Sequence, residues 1–163
     1  MKMNGDIFLV DTNIIVDFFK GDPAIASNLA ISELFIPSIV VGELYFGAYA
    51  SSITYGREKR LKEIAYFLEQ YPIVEVSEKT ANYYGQIKSQ LKQMGKPIPE
   101  NDVWIAALAK EYNLPIASRD KHFEYVSELG ITVWQLLILL PDLPIKLVLV
   151  CITRIKSTFE TKR

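Results

Sequence analysis

Apolar residues enter this chain in short blocks, and the spacing inside each block predicts an element. Ile7–Val10 is a continuous apolar run of strand length that stops at Asp11. Asn13–Phe19 has helical spacing and ends near Gly21-Asp22-Pro23, a strong breaker. Ala24–Ile31 predicts a second short helix, and Leu34–Ile36 a strand closed by Pro37. Ser38 stands as an N-cap for a helix over Ile39–Ala50. Arg57–Gln70 is amphipathic, with Leu61, Ile64, Ala65 and Leu68 at helical spacing. Ile73–Val76 reads as a strand. Ser77 then caps a long helix to about Met94, and with Thr80 it lacks only the acid of a capping box. Gly95-Lys96-Pro97-Ile98-Pro99 is a loop. Asn101 opens a helix over Val103–Tyr112, Pro115–Ala117 is a strand, and a short helix follows Ser118-Arg119-Asp120. Ile131–Trp134 is the last strand.

Strands separated by helices predict an α/β fold: a parallel sheet with helices on both faces. Ligands of such sheets bind beyond the carboxyl ends of the strands. The 163 residues suit one domain, over residues 1–135, followed by an apolar extension over 136–163. Leu136–Ile152 is very apolar, but Pro141, Asp142, Pro144 and Lys146 interrupt it, so no membrane span is expected. Ile7–Val10 is too short for the core of a signal peptide, and a cytoplasmic protein is expected. The one cysteine, Cys151, excludes an intramolecular disulfide, and the one histidine, His122, excludes a His-rich zinc site. A net charge of −1 does not announce a nucleic-acid binder, although cations held by acidic residues can attract phosphates.

Four acids carry the candidate chemistry. Asp11 and Asp120 follow predicted strands, where each also suits a helix N-cap. Asp102 opens an apolar helix, where an acid is favourable in the first turn. Glu43 shares a helical face with Val40 and Gly47, so its charge needs a partner, either a basic side chain or a metal ion. A parallel sheet can gather the three strand-end and helix-start acids, Asp11, Asp102 and Asp120, at one edge. Carboxylates in one cleft repel unless a cation sits among them, and oxygen ligands without His or Cys select Mg²⁺ or Mn²⁺.

Val10-Asp11-Thr12-Asn13, the mid-helix Glu43, Glu100-Asn101-Asp102-Val103-Trp104-Ile105-Ala106-Ala107 and Ser118-Arg119-Asp120-Lys121-His122-Phe123 resemble the PIN-domain nucleases. The nearest likeness is to VapC-type toxins of bacterial toxin–antitoxin pairs, and it runs from about Asp6 to Trp134. The resemblance implies a three-layer fold with a five-stranded parallel sheet. It implies a catalytic, metal-binding quartet of Asp11, Glu43, Asp102 and Asp120. Thr12 and Asn13 match positions that would support Asp11, and Ser118 matches a small hydroxyl residue before the fourth acid. The partners implied are an RNA substrate, a small antitoxin and a second copy of the chain. The tail over 136–163 departs from the pattern.

The mechanism that follows is hydrolysis of RNA by a metal-activated water, leaving a 5′-phosphate and a 3′-hydroxyl. The basic residues Arg57, Lys59, Arg60 and Lys62, and Lys88, Lys92 and Lys96, read as solvated helix faces. Arg119 and Lys121, beside Asp120, are better placed to touch an RNA backbone. Tyr45 and Tyr49 read as packing residues, and Trp104 and Trp134 as core anchors. His122 reads as a structural residue beside Phe123, since a metal-activated water already supplies the nucleophile. Two aspartate-nucleophile classes are disfavoured. One needs a second Asp where Asn13 stands, and the other needs an Asp after the middle strand, where Ser77 stands. The non-enzymatic alternative is a PIN-like binding scaffold without activity.

Overall fold

The computed structural model describes residues 6–134 of the 163-residue chain. The extension over 136–163 lies outside the described residues. Five strands form one parallel sheet: β1 (Ile7–Val10), β2 (Glu33–Pro37), β3 (Ile73–Val74), β4 (Ile116–Ser118) and β5 (Ile131–Val133), in the order β3-β2-β1-β4-β5. The chain adds strands on one side of β1 and then returns to add them on the other. The reversal falls between β1 and β4, and crevices at such points are where α/β sheets bind ligands. β1 is buried beyond Ile7 and β4 throughout, which explains why apolar residues fill them up to Ser118.

Six helices connect the strands: α1 (Thr12–Phe19), α2 (Pro23–Ile31), α3 (Ser38–Tyr49), α4 (Thr54–Leu68), α5 (Glu78–Met94) and α6 (Glu100–Tyr112). A 3₁₀ turn spans Lys121–Tyr125. The core gathers Leu9, Ile14, Ile15, Ile36, Ile64, Ile105, Leu108 and Phe123, all with no exposed surface. α6 buries Val103 and residues 105–109, and Ala106, Ala107 and Ala109 let it approach its neighbours closely. Trp134 meets Phe8 edge-on at 5.4 Å and anchors the core as expected. Trp104 does not: it is half-buried and stacks on Tyr84 at 4.0 Å.

Three predicted helix starts change in the structure. Ser38 caps nothing. It is the first residue of α3, because Pro37 is still paired with Val74 and the chain passes from strand to helix directly. α6 begins at Glu100 with Pro99 before it, so Asn101 and Asp102 sit inside its first turn and leave their side chains free for other partners. At α5 the box that seemed to lack its acid is complete. Ser77 Oγ accepts from the Thr80 amide at 3.0 Å, and the Ser77 amide donates to Thr80 Oγ1 at 2.9 Å.

Thr80 is fully buried and also donates to Glu111 on α6, which accepts from Ser77 Oγ at 2.8 Å. This cluster ties the start of α5 to the end of α6. Thr80→Val keeps the shape and removes the hydroxyl, leaving the Ser77 amide short of a partner and Glu111 with Ser77 Oγ alone. The expected cost is about 1–3 kcal/mol in a denaturant titration. An unchanged midpoint would show that water replaces the hydroxyl.

Candidate active site

Asp11 leaves β1 with extended backbone and caps α1. Its carboxylate accepts from the Thr12 amide at 2.7 Å, Asn13 Nδ2 at 2.6 Å and Ser118 Oγ at 2.6 Å. Ser118 ends β4, so this last bond crosses the reversal point, alongside the Asp11 amide bond to the Ala117 carbonyl at 3.0 Å. The Ser118 hydroxyl is itself saturated. It accepts from Asn13 Nδ2 at 3.1 Å and from the Asp120 amide at 2.9 Å. Only 5% of Asp11 is exposed. Burial outweighs the donors and pushes its pKa up to about 6, and the charges of Asp102 and Glu43 push the same way. The sign for stability follows. A raised carboxyl pKa stabilises the fold fully below the ordinary 3.8 and loses that contribution as pH rises through about 6, a swing on the order of 3 kcal/mol for this group.

Glu43 reaches the same place from α3. One oxygen accepts from the Thr12 hydroxyl and the other from Asn101 Nδ2 at 2.7 Å. Thr12 thus divides its duties: its amide donates to Asp11 while its hydroxyl fixes Glu43. Among the described residues no lysine or arginine pairs with Glu43. Asp102, on the first turn of α6, has its pKa raised, first by burial and then, against the pull of His122, by the charges of Asp120 and Glu43. Asp120 caps the 3₁₀ turn by accepting from the His122 amide at 2.9 Å. The four acids of the sequence reading therefore share one site.

His122 departs from its expected role. Its side chain is 42% exposed and is turned to two of the acids. Nδ1 lies 2.9 Å from Asp102 Oδ2 and 3.1 Å from Asp120 Oδ1, and these three residues can present ligand atoms within 4.8 Å of one another. The cluster thus offers a nitrogen donor beside the oxygens. Arg119 departs as well. Its guanidinium is taken by Asp17 at 2.6 Å and Asp22 at 2.7 Å, and its Nε by the Trp134 carbonyl at 3.2 Å, so it is committed to the fold rather than offered to RNA. Lys88 is likewise paired, with Glu100 at 2.6 Å. Sequence reasoning missed Asn101 and His122. Adjacency to Asp102 and a position two residues past Asp120 were the signals, and both are weak without the fold.

A model of the PIN domain family matches residues 8–129. Ribonuclease VapC2 of Haemophilus influenzae is 35% identical over 131 residues, covering 78% of this chain and 97% of that protein. The tRNA(fMet)-specific endonuclease VapC of Shigella flexneri is 30% identical, covering 78% and 98%. Among solved structures, VapBC2 from Rickettsia felis bound to a DNA fragment from its promoter aligns with a TM-score of 0.73 at 28% identity, covering 79% of this chain and 99% of that one. The chain belongs to the PIN-domain family. Within that family it is one of the VapC-type ribonuclease toxins of toxin–antitoxin systems.

Proposed function

We propose that Asp11, Glu43, Asp102 and Asp120 hold divalent metal, Mg²⁺ with Mn²⁺ as a substitute, and that the chain uses it to hydrolyse RNA phosphodiester bonds. The observation that carries this reading is the gathering of four carboxylates whose partners in the site are neutral donors and one imidazole. Such a cluster is self-repelling until a cation joins it, and its oxygen-rich donor set suits hard divalent ions. When bound, the metal supplies Lewis acidity at the phosphate and an acidified water. The residues of the chain supply position. Ser118, Asn13 and the Thr12 amide lock the Asp11 carboxylate at the sheet edge. Thr12 and Asn101 hold Glu43 across from it. Attack in this arrangement leaves a 5′-phosphate and a 3′-hydroxyl.

The architecture we assign is three-layered. Right-handed crossovers put α1–α4 on one face of the sheet and α5–α6 on the other. The catalytic unit is residues 1–135, the segment 136–163 is an appendage to it, and the protein acts in the cytoplasm as a homodimer. Among the described residues no helix is long and apolar enough to cross a membrane. The partner is a small antitoxin with an apolar segment. Phe46 and Tyr49 on α3, Ile53, and Tyr55 on α4 expose 60–78% of their surfaces and offer it an apolar strip. Transfer RNA is the first substrate to try, since the Shigella relative is named for one.

The test is incubation with a pool of structured RNAs in Mg²⁺, in Mn²⁺ and in EDTA. Cleavage in either metal, none in EDTA, and 5′-phosphate ends are expected; a folded protein inert in every metal would favour a binding scaffold instead. Because protons compete with metal at Asp11, metal affinity is expected to fall up to about tenfold per pH unit below pH 6, read by calorimetry. A flat profile from pH 8 to pH 5 would remove Asp11 from the ligand set.

A further inference from the structure

His122 is the one chemically versatile side chain at this site that the carboxylate reading leaves unused. We propose that His122 Nδ1 is itself a ligand of the metal, and that this nitrogen biases the site toward Mn²⁺ over Mg²⁺. The inference rests on the metal-site reading above and adds a donor to it.

Geometry supports the assignment. Neighbouring ligands of an octahedral ion with bonds of about 2.1 Å stand about 3 Å apart, and opposite ligands about 4.2 Å. His122 Nδ1 stands 2.9 Å from Asp102 Oδ2 and 3.1 Å from Asp120 Oδ1, which are ligand-edge spacings. The three donors together fall within 4.8 Å, so one ion can touch all of them. The ring is not placed by chance. Asp120 caps the turn through the His122 amide, and Ser118 holds the Asp120 amide, so the imidazole is delivered from the same strand end that fixes Asp11. Without metal Nδ1 carries the ring proton and donates to the acids; a bound ion would take the Nδ1 lone pair, with the ring proton then on Nε2.

The chemistry gives the selectivity. Mg²⁺ prefers oxygen and sheds water reluctantly, whereas Mn²⁺ stands on the series in which imidazole affinity rises toward the later metals. A nitrogen donor therefore helps Mn²⁺ more than Mg²⁺.

The chain has a single histidine, which makes the test unambiguous. Untagged full-length protein is loaded with Mn²⁺ and examined by pulsed electron paramagnetic resonance, with His122 carrying ¹⁴N or, after labelling with ¹⁵N-histidine, ¹⁵N. A directly coordinated nitrogen coupling that changes with the isotope is expected. His122→Gln should abolish it and weaken Mn²⁺ binding about ten- to a hundredfold in calorimetry, with Mg²⁺ binding changed less than about threefold. Thermal melts check that the variant is folded. Mn²⁺ bound in an Asp102-dependent way with no nitrogen coupling would overturn the ligand assignment and leave the carboxylate site standing. Equal losses of Mn²⁺ and Mg²⁺ affinity in His122→Gln would overturn the selectivity. Failure of the wild-type protein to bind either ion would overturn the metal site itself.

Discussion

Asp102→Asn is expected to lower metal-dependent RNA cleavage by at least about a thousandfold and, at the same time, to stabilise the metal-free protein. The amide keeps the shape of the carboxylate and removes one charge. Two opposing effects act on stability. An acid in the first turn of α6 gains about 0.3–1 kcal/mol from the helix dipole, which the amide forfeits. Against this stand burial and the charges of Asp120 and Glu43, which together raise the Asp102 pKa. Dipole aside, the net environment disfavours the ionised form. A raised carboxyl pKa contributes stability when protonated and loses it as pH rises, so at neutral pH the neutral amide is the better tenant. A melting temperature above that of wild type is expected without metal. With saturating Mn²⁺ the order should reverse, since only the wild type gains the free energy of binding. A variant less stable than wild type in EDTA would show that the His122 contact outweighs the repulsion.

Arg119→Ala is expected to give the largest loss of stability among single changes near the site while leaving the chemistry in place. One guanidinium joins the last turn of α1 through Asp17, the N-cap of α2 through Asp22 and the chain after β5 through the Trp134 carbonyl. The side chain is 31% exposed, so solvent screens part of each charge, and the expected cost is about 2–3 kcal/mol rather than the larger figure for a buried pair. Lysine cannot span two carboxylates as the fork does, so Arg119→Lys should recover less than half. The bond to Arg119 chiefly holds the Asp22 pKa below its ordinary 3.8. That contribution is present above pH 3.8 and fades as pH falls through the lowered value, so the deficit of Arg119→Ala should shrink below about pH 4. The backbone amide of Arg119, which donates to Asn13 Oδ1 at 3.2 Å, survives the change. Cleavage well below the melting temperature is therefore expected within about threefold of wild type. A collapse of activity in a folded variant would instead place the Arg119 side chain in the chemistry.

Local pattern made much of this protein legible. Runs such as Ile7–Val10 read as buried strands, and the blocks around Asp11, Glu43, Asp102 and Ser118-Arg119-Asp120 carry the family likeness in residue order alone. Capping at Ser77 and termination at Gly95, in left-handed conformation with φ 66°, are also local physics that a few adjacent residues settle. What the sequence left open depends on contacts between residues far apart in the chain. Thr12 turned its hydroxyl to Glu43, 31 residues away, because α1 and α3 meet at the sheet edge. Asn101 became a donor to Glu43, and Arg119 a clamp on Asp17 and Asp22 rather than a hand for RNA. His122 moved from the margin of the core to the acids, because the Asp120-capped turn aims its ring at Asp102. Spacing along the chain fixes which face of an element a side chain occupies. Only the packing of elements against one another decides which charge or donor that face meets.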